Sequence, residues 1–559
     1  MTAESSSALR VAVVAIAGLL TFMAPSGIHA AVAPGREFFD IARSIELLGD
    51  VYEEVADNYV DTLNVSEFMY AGIDGMLEQL DPYTSFLDEE QSEELDELTT
   101  GQYAGIGVTI GVISGEIYIL SVIDGYAASR SGLKVGDRIL SVNGTPVSKE
   151  PLDTIRARIK GPAGSKVRLG IGRSGKPSAI YYTLPREEVR VSTVNYSGLL
   201  GPVAYVEMNS FGQHSAEELG AALRALESKA KSGKTPLKGV ILDLRGNPGG
   251  LLNSAVDVAG LFVEKGSRIV STRGRTPDSE KVYVTENIPV TTELPLAVII
   301  NGESASASEI VAGAIQELDR GIILGERSFG KGLVQSIIKL PYDHSLKLTT
   351  AKYYTPSGRL IQKPQERVAE ERKVLGNGAA YDSLRAYYTR NRRKVYGGGG
   401  IKPDIPVDAA RYSDYENELR NRGMFFRFAL GYRSEHHEYD DSGLRQDILL
   451  RAFNAFLDRE KFSVRSKPQQ LLDKLKASLA VDAPGYSGSL DSIDRSLAQW
   501  TKQRFLSDSV RIADDLRQEI LRHYNETSAR KVALDRDPAV SKAVEILGNQ
   551  NKYRDLLRP

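Results

Sequence analysis

Residues 301–314 read N-G-E-S-A-S-A-S-E-I-V-A-G-A, and residues 325–335 read G-E-R-S-F-G-K-G-L-V-Q. Just upstream, Leu296 to Ile300 is a continuous apolar run and predicts a buried strand. Ser306 stands three residues before Glu309, and Ile310, Val311, Ala314 and Ile315 follow at helical spacing, the signature of a capping box at a helix start. A strand, a tight turn and a helix N-terminus together expose a serine hydroxyl. They also aim free backbone N–H groups, that of Ala307 among them, at any negative charge developing there.

Downstream, Lys331 is held between Gly330 and Gly332. Lys331, Leu333 and Gln335 alternate with Gly332 and Val334, and Ile337 and Ile338 continue the run, so a strand is expected from Lys331 onward. Side chains four apart on a strand share a face, which sets Gln335 beside Lys331 to orient its amine. A serine hydroxyl is a poor nucleophile until its proton is removed, and a lysine removes it only when neutral. Its pKa must then fall from ~10.4 by desolvation. Two plainer readings stand beside this one. Ser-x-x-Glu taken alone is a helix cap, and a lysine taken alone is an exposed charge. A phosphate-binding loop is a third: Gly325-x-x-x-x-Gly330-Lys331 matches most of that motif. It fails where Gly332 replaces the hydroxyl residue that would hold magnesium, and where a strand rather than a helix follows.

S-A-S-A-S-E followed by F-G-K-G-x-x-Q resembles the carboxyl-terminal processing peptidases, or tail-specific proteases, and the 25 residues from Ser306 to Lys331 fit that family. The resemblance runs from about residue 42 to residue 407. It implies that Ser306 is the nucleophile, Lys331 the base and Gln335 the third member of a triad. It places the oxyanion hole on the backbone N–H groups of Gly250 and Ala307. The implied activity is hydrolysis of peptide bonds in polypeptides recognised by their C-termini, without metal or organic cofactor. The rival reading is an inactive adaptor that binds protein ends and does not cut them.

Composition agrees with a large globular chain. The 559 residues are 42% hydrophobic and 26% charged, enough for about three or four domains. A net charge of −3 gives no reason to expect nucleic acid as a partner. The absence of cysteine excludes disulfides and thiolate chemistry, and no H-E-x-x-H zinc motif occurs among the six histidines.

Residues 1–33 resemble an export signal: Val11 to Met23 is mostly apolar, and Ala31-Val32-Ala33 offers a small-residue cleavage site. A periplasmic or cell-envelope location follows, with retention of the segment as a membrane anchor left open. Residues 34–100 carry helical spacing at Ile45, Leu48, Val51, Tyr52 and Val55, with Leu80-Asp81-Pro82-Tyr83-Thr84-Ser85 as a turn between helices. Residues 101–187 turn glycine-rich and β-branched and are similar to PDZ domains, which add a peptide as a strand and capture its terminal carboxylate. The resemblance puts the carboxylate loop at Gly105, Ile106, Gly107 and Val108, and the groove helix near Leu152 to Ile159.

Residues 188–409 read as an α/β protease core. Strands are expected at Val203–Val206, Val240–Leu244 and Leu296–Ile300, with a helix capped by Ser215. Gly246-Asn247-Pro248-Gly249-Gly250 is either an oxyanion loop or a tight connection. A histidine base is the weaker alternative: His344 falls at a hairpin tip, and His214 precedes a helix. The basic run Arg390, Arg392, Arg393 and Lys394 reads as a solvated face in a surface insertion. Residues 410–559 are helical by periodicity; a homo-oligomer contact, substrate capture and a plain bundle all remain open for them. The expected class is α/β: a protease core of short strands and helices, an inserted PDZ-like β domain, and helical N- and C-terminal segments.

Overall fold

A computed structural model describes residues 36–363, 385–408, 412–436, 438–439, 444–482 and 487–559. The export-signal reading lies outside the described residues, as do residues 366–384 of the expected 366–400 insertion. The chain divides into two compact units between Pro82 and Tyr83. In the first, the helices Arg36–Asn58 and Val65–Leu77 form a hairpin. Asn64 caps the second helix through the N–H groups of Ser66 and Glu67. The Tyr52 hydroxyl closes the hairpin by donating to the Val65 carbonyl at 2.7 Å.

In the second unit, a parallel sheet carries the core. The antiparallel pair Val194–Leu200 and Val203–Met208 leads into Gly239–Asp243, Leu296–Ile300, Ile322–Gly325 and Ile405–Pro406, all parallel from Val203 onward. These strands are apolar on both faces, as expected when helices cover both sides. Ala204, Val206, Leu242 and Val298 face one cluster with the helices Ser215–Ser232, Leu252–Gly260 and Ala307–Glu317. Val203, Tyr205, Ile241 and Ile299 face the other, built with the helices Pro538–Leu547 and Gln550–Leu556. The last helices of the chain are therefore the second cover of the sheet. The remaining tail helices bury Phe425, Phe428, Phe453 and Leu516 in a cluster of their own.

A six-stranded antiparallel sheet between Val108 and Pro185, around Ile119, Ile139, Ile155 and Leu169, makes the PDZ-like body. A third sheet joins Ser85–Leu87, Leu333–Lys339, Ser345–Tyr354, Arg268–Gly274 and Lys281–Val284. It corrects one expectation: the turn at Leu80 to Ser85 leads from a helix into a strand, with Ser85 opposite Lys347. A second correction concerns Ser215, which is the first helical residue and not the cap. His214 holds the cap position without a side-chain bond, and the Ser215 hydroxyl instead donates to Thr193 Oγ1 at 3.0 Å. Nor is the basic run uniformly solvated: Arg393 is 10% exposed and pairs at 2.7 Å with both Asp319 and Asp404.

Candidate active site

Between the strand Leu296–Ile300 and the helix Ala307–Glu317, Ser306 takes φ 53° and ψ −112°. Residues with a Cβ rarely adopt that left-handed conformation, and the strain persists where surrounding contacts impose it. The turn keeps the hydroxyl out of the helix, where it makes no cap bond. The expected capping box sets the Ser306 and Glu309 side chains each toward the other's backbone N–H. The Ser306 N–H donates to Glu309 Oε2 at 2.9 Å, while the Glu309 N–H goes to the Ser306 carbonyl oxygen at 2.9 Å.

The two flanking serines serve a different end. Ser304 Oγ donates to the Leu244 carbonyl at 2.8 Å, and Ser308 Oγ to the Asn247 carbonyl at 3.0 Å. Asn247 in turn donates through Nδ2 to the Met208 carbonyl at 2.9 Å and accepts the Gly249 N–H at 2.9 Å. The glycine turn is thereby sewn to the Ser306 turn. Its closeness explains its composition: a Cβ on Gly249 would stand 2.8 Å from the Ala305 oxygen and Ser306 Cβ, and 2.9 Å from the Ala307 nitrogen. Gly250 takes φ 149° and forms a parallel bridge with Phe211. Phe211 N–H bonds to the Gly249 carbonyl and Leu251 N–H to the Phe211 carbonyl, which turns the Gly250 N–H away from Phe211.

Glu309 ties this half of the site to the lysine half. Its buried carboxylate accepts from Ser328 Oγ at 2.6 Å and Gly330 N–H at 2.7 Å on one oxygen. The other oxygen accepts from the N–H groups of Ser306 and Lys331, each at 2.9 Å. The two backbone nitrogens therefore lie within twice that distance of each other. Burial pushes the Glu309 carboxyl up to about 7, partly offset by these four donors. On the far side, the buried Tyr353 hydroxyl is shared between the Ser306 carbonyl, at 3.1 Å, and the Lys331 carbonyl. One side chain thus binds both N–H groups, and another both carbonyls.

Lys331 lies just ahead of the strand Leu333–Lys339, not on it. A register shift between Val334 and Gln335 breaks the simple alternation, and the Gly332 N–H is given to Gln362 Oε1 at 2.7 Å. The pairing expected from alternation still forms: Lys331 Nζ donates to Gln335 Oε1 at 2.7 Å. Gln335 Nε2 donates onward to the Tyr83 carbonyl, and the Tyr83 ring centroid is 4.7 Å from Lys331 Nζ. Ser306, Ala307, Gly250, Lys331 and Gln335 are thus gathered in one place. His344 is elsewhere: at its hairpin tip it bonds the Pro341 carbonyl at 3.1 Å and stacks on Phe86.

Glu309, Tyr353, Tyr83 and Asn247 were missed as site residues. Of these, Glu309 had a signal in the sequence, as the third residue after Ser306, and Asn247 in its glycine turn; the two tyrosines had none.

Gly105, Ile106 and Val108 line a separate groove of about 450 Å³, with the strand Val108–Ile113 and the helix Leu152–Ile159, while Gly107 between them does not line it. Ile110, Ile123 and Ile159 make its floor apolar, and Lys160 stands at its edge. Tyr103, whose phenol is pushed up to about 12 by burial and by the Glu97 carboxylate, forms another wall. The Ile106 and Gly107 carbonyls are used inside the fold, by Ala128 and Ile123. Among the described residues, no group of acidic and histidine side chains is placed to hold a metal ion, and no helix is long and apolar enough to cross a membrane.

Known proteins supply the remaining comparison. Residues 202–374 match the profile of "Peptidase family S41", residues 95–172 that of "PDZ domain", and residues 415–547 that of "Probable PDZ-protease, C-terminal helical domain". The chain is 38% identical over 320 residues to the carboxy-terminal-processing protease of Bartonella bacilliformis, covering 57% of this chain and 73% of that one. It is 34% identical over 317 residues to the carboxy-terminal processing protease CtpA of Bacillus subtilis, covering 56% and 66%. Among solved structures, a photosystem II D1 C-terminal processing protease aligns over 65% of this chain and 92% of that one, at 26% identity and a TM-score of 0.33. With the Bartonella protein matched over most of its length, this chain belongs to the carboxy-terminal-processing serine proteases of peptidase family S41, with a PDZ domain.

Proposed function

We propose that this protein is an endopeptidase that reads the C-terminus of a polypeptide in its PDZ groove and cuts the same chain with Ser306. The observation that carries the reading is the Glu309 carboxylate bonded to the backbone N–H groups of both Ser306 and Lys331. Lys331 in its neutral form takes the proton from Ser306 Oγ as the oxygen attacks the scissile carbonyl carbon. The oxyanion is met by the N–H groups of Gly250 and Ala307 at the head of a helix. Collapse breaks the C–N bond, and the Lys331 ammonium returns its proton to the leaving nitrogen. Water then enters as the second nucleophile and gives a proton to Lys331; the ester bond to Ser306 Oγ breaks, Lys331 returns that proton to the serine oxygen, and the acyl group leaves as a carboxylic acid. Gln335 orients the amine throughout. The tail carboxylate docks on the Gly105 to Val108 loop, with an apolar last side chain on Ile110 and Ile159. Export through residues 1–33 belongs to the same reading and is checked by fractionation and N-terminal sequencing of the mature chain.

The test uses an unfolded substrate with an apolar C-terminus. Wild type cleaves it, Ser306→Ala and Lys331→Ala do not, and an amidated tail slows cleavage through KM. Cleavage persisting in Ser306→Ala would move the chemistry elsewhere. Tail binding with no cleavage by the wild type would make the protein an adaptor.

A further inference from the structure

The sequence L-D-P-Y-T-S at residues 80–85 plays no part in the mechanism above, yet it delivers Tyr83 to the lysine. Ser85–Leu87 pairs with the strand Ser345–Tyr354, and Thr84 Oγ1 accepts the Thr349 N–H at 3.2 Å. This pairing sets the half-buried Tyr83 on two partners at once. Its carbonyl accepts from Gln335 Nε2, and its ring centroid lies 4.7 Å from Lys331 Nζ.

Each contact has a distinct consequence. A carbonyl only accepts, so it fixes the Gln335 amide with its nitrogen toward Tyr83 and its oxygen toward Lys331. That oxygen accepts an N–H from an amine or an ammonium alike. The aromatic ring discriminates between them, because its quadrupole attracts a cation and has little hold on a neutral amine. We propose, resting on the assignment of Lys331 as base, that Tyr83 is a positioning residue that governs the charge on that lysine. Its carbonyl aims the amine through Gln335, and its ring stabilises the ammonium that forms when Ser306 gives up its proton. The same ring holds a proton on Lys331 at rest, in opposition to desolvation.

Other charged groups near the pair are also named by the structure. Glu309 lies on the helix Ala307–Glu317, and Tyr353 on the strand Ser345–Tyr354. Lys347 and Lys352 share that strand, opposite Ser85 and Leu333. Lys363 lies 5.8 Å from the Phe329 ring. Replacing Tyr83 leaves these in place, and comparing the leucine with the phenylalanine variant separates the ring from the hydroxyl.

The test reads Lys331 itself. Only a neutral amine attacks acetic anhydride, forming an amide and releasing acetate. Trace acetylation followed by peptide mapping therefore reports the neutral fraction at each pH. Full-length Ser306→Ala protein serves as background, compared with the same chain carrying Tyr83→Leu or Tyr83→Phe, and Lys229 and Lys542 serve as internal standards. At pH 8 the leucine variant should label Lys331 roughly threefold to thirtyfold faster than the parent, the span of a ring–cation contact. The phenylalanine variant, which keeps a ring, should stay within about twofold. All three rates should converge at a pH where every lysine is neutral. Equal labelling of parent and leucine variant overturns the proposal. So does a ratio that stays constant with pH, which means access and not charge, or a phenylalanine variant that behaves like leucine. The measurement involves no proteolysis, so it can fail while Ser306 and Lys331 remain catalytic, and it can succeed if they are not.

Discussion

Replacing Glu309 by glutamine removes one acceptor oxygen and one charge while keeping the shape of the side chain. Two orientations are open to the amide. With its nitrogen toward Ser306 and Lys331, two buried N–H groups face another donor, at about 1–3 kcal/mol each. With its nitrogen toward Ser328 and Gly330, the cost is smaller. The Ser328 hydroxyl turns to accept, although it already accepts the Ile401 N–H at 2.6 Å, and Gly330 alone loses its partner. The second orientation wins, so the loss of stability is about 1–3 kcal/mol, measured as an earlier denaturant midpoint. Tethering of Ser306 to Lys331 survives but loosens, and kcat/KM falls about tenfold to a hundredfold, the scale of a small misplacement of reacting groups. The pH dependence gives a sharper test. Burial raises the Glu309 carboxyl in the folded chain to about 7 from its ordinary 4.5. The folded state then binds this proton more tightly than the unfolded state does. Glu309 therefore contributes a stability that is full below pH 4.5 and declines as pH rises to about 7. Activity runs the opposite way, because the ionised form is the one that accepts all four donors, and an acid limb near pH 7 is expected. The stability slope and the limb that belongs to Glu309 should vanish in the glutamine variant, leaving only the dependence set by protonation of Lys331. Unchanged stability, unchanged kcat/KM and an unchanged acid limb in that variant would refute the reasoning.

Gly249→Ala should abolish cleavage with the fold intact, since its Cβ would press on the Ser306 turn at 2.8 Å; near-wild-type activity with circular dichroism unchanged would contradict the geometry. Asp537→Asn keeps the cap on the helix Pro538–Leu547, because asparagine caps as well as aspartate. It removes one of the two carboxylates that hold Arg245 beside the glycine turn, the one paired at 2.7 Å, and leaves Asp243 at 2.6 Å. The pair is part-exposed, so about 1 kcal/mol or less is expected in stability, with a severalfold fall in kcat and KM unchanged. Arg359 and Glu317 are each 1% exposed and pair at 2.7 Å. Arg359→Met strands a buried carboxylate and should cost about 3–5 kcal/mol, whereas the double variant with Glu317→Leu should recover much of it in a denaturant titration.

Where one physical signal decided a segment, the sequence was readable. Leu296–Ile300 is a strand with the expected bounds because five apolar residues in a row are buried on both faces. The helix Leu152–Ile159, by contrast, was placed by the PDZ resemblance and not by a physical signal, and it forms where that resemblance implied. The reading was weaker where a residue's role depends on what arrives from far along the chain. Glu309 looked like half of a local cap, and its bonds to Gly330 and Lys331 are tertiary. Tyr83 and Tyr353 reach the site only through sheet pairing. Lys331 and Gln335 meet despite a register shift that alternation does not reveal. Periodicity marked residues 410–559 as helical, but it carried no sign that Ala539, Val540, Ala543 and Ile546 would pack on the central sheet.

That last contact sets an order of events. During synthesis, Val203, Tyr205, Ile241 and Ile299 stay bare on their far side until the helix Pro538–Leu547 emerges, long after Ile299 itself. A half-made chain thus carries Ser306 and Lys331 on a sheet with one side wet, and exposed apolar strands of that kind invite aggregation. The framework that holds Ser306 and Lys331 is complete only once the helix Pro538–Leu547 has closed over the sheet, which ties the catalytic half of the chain to a segment made long after it.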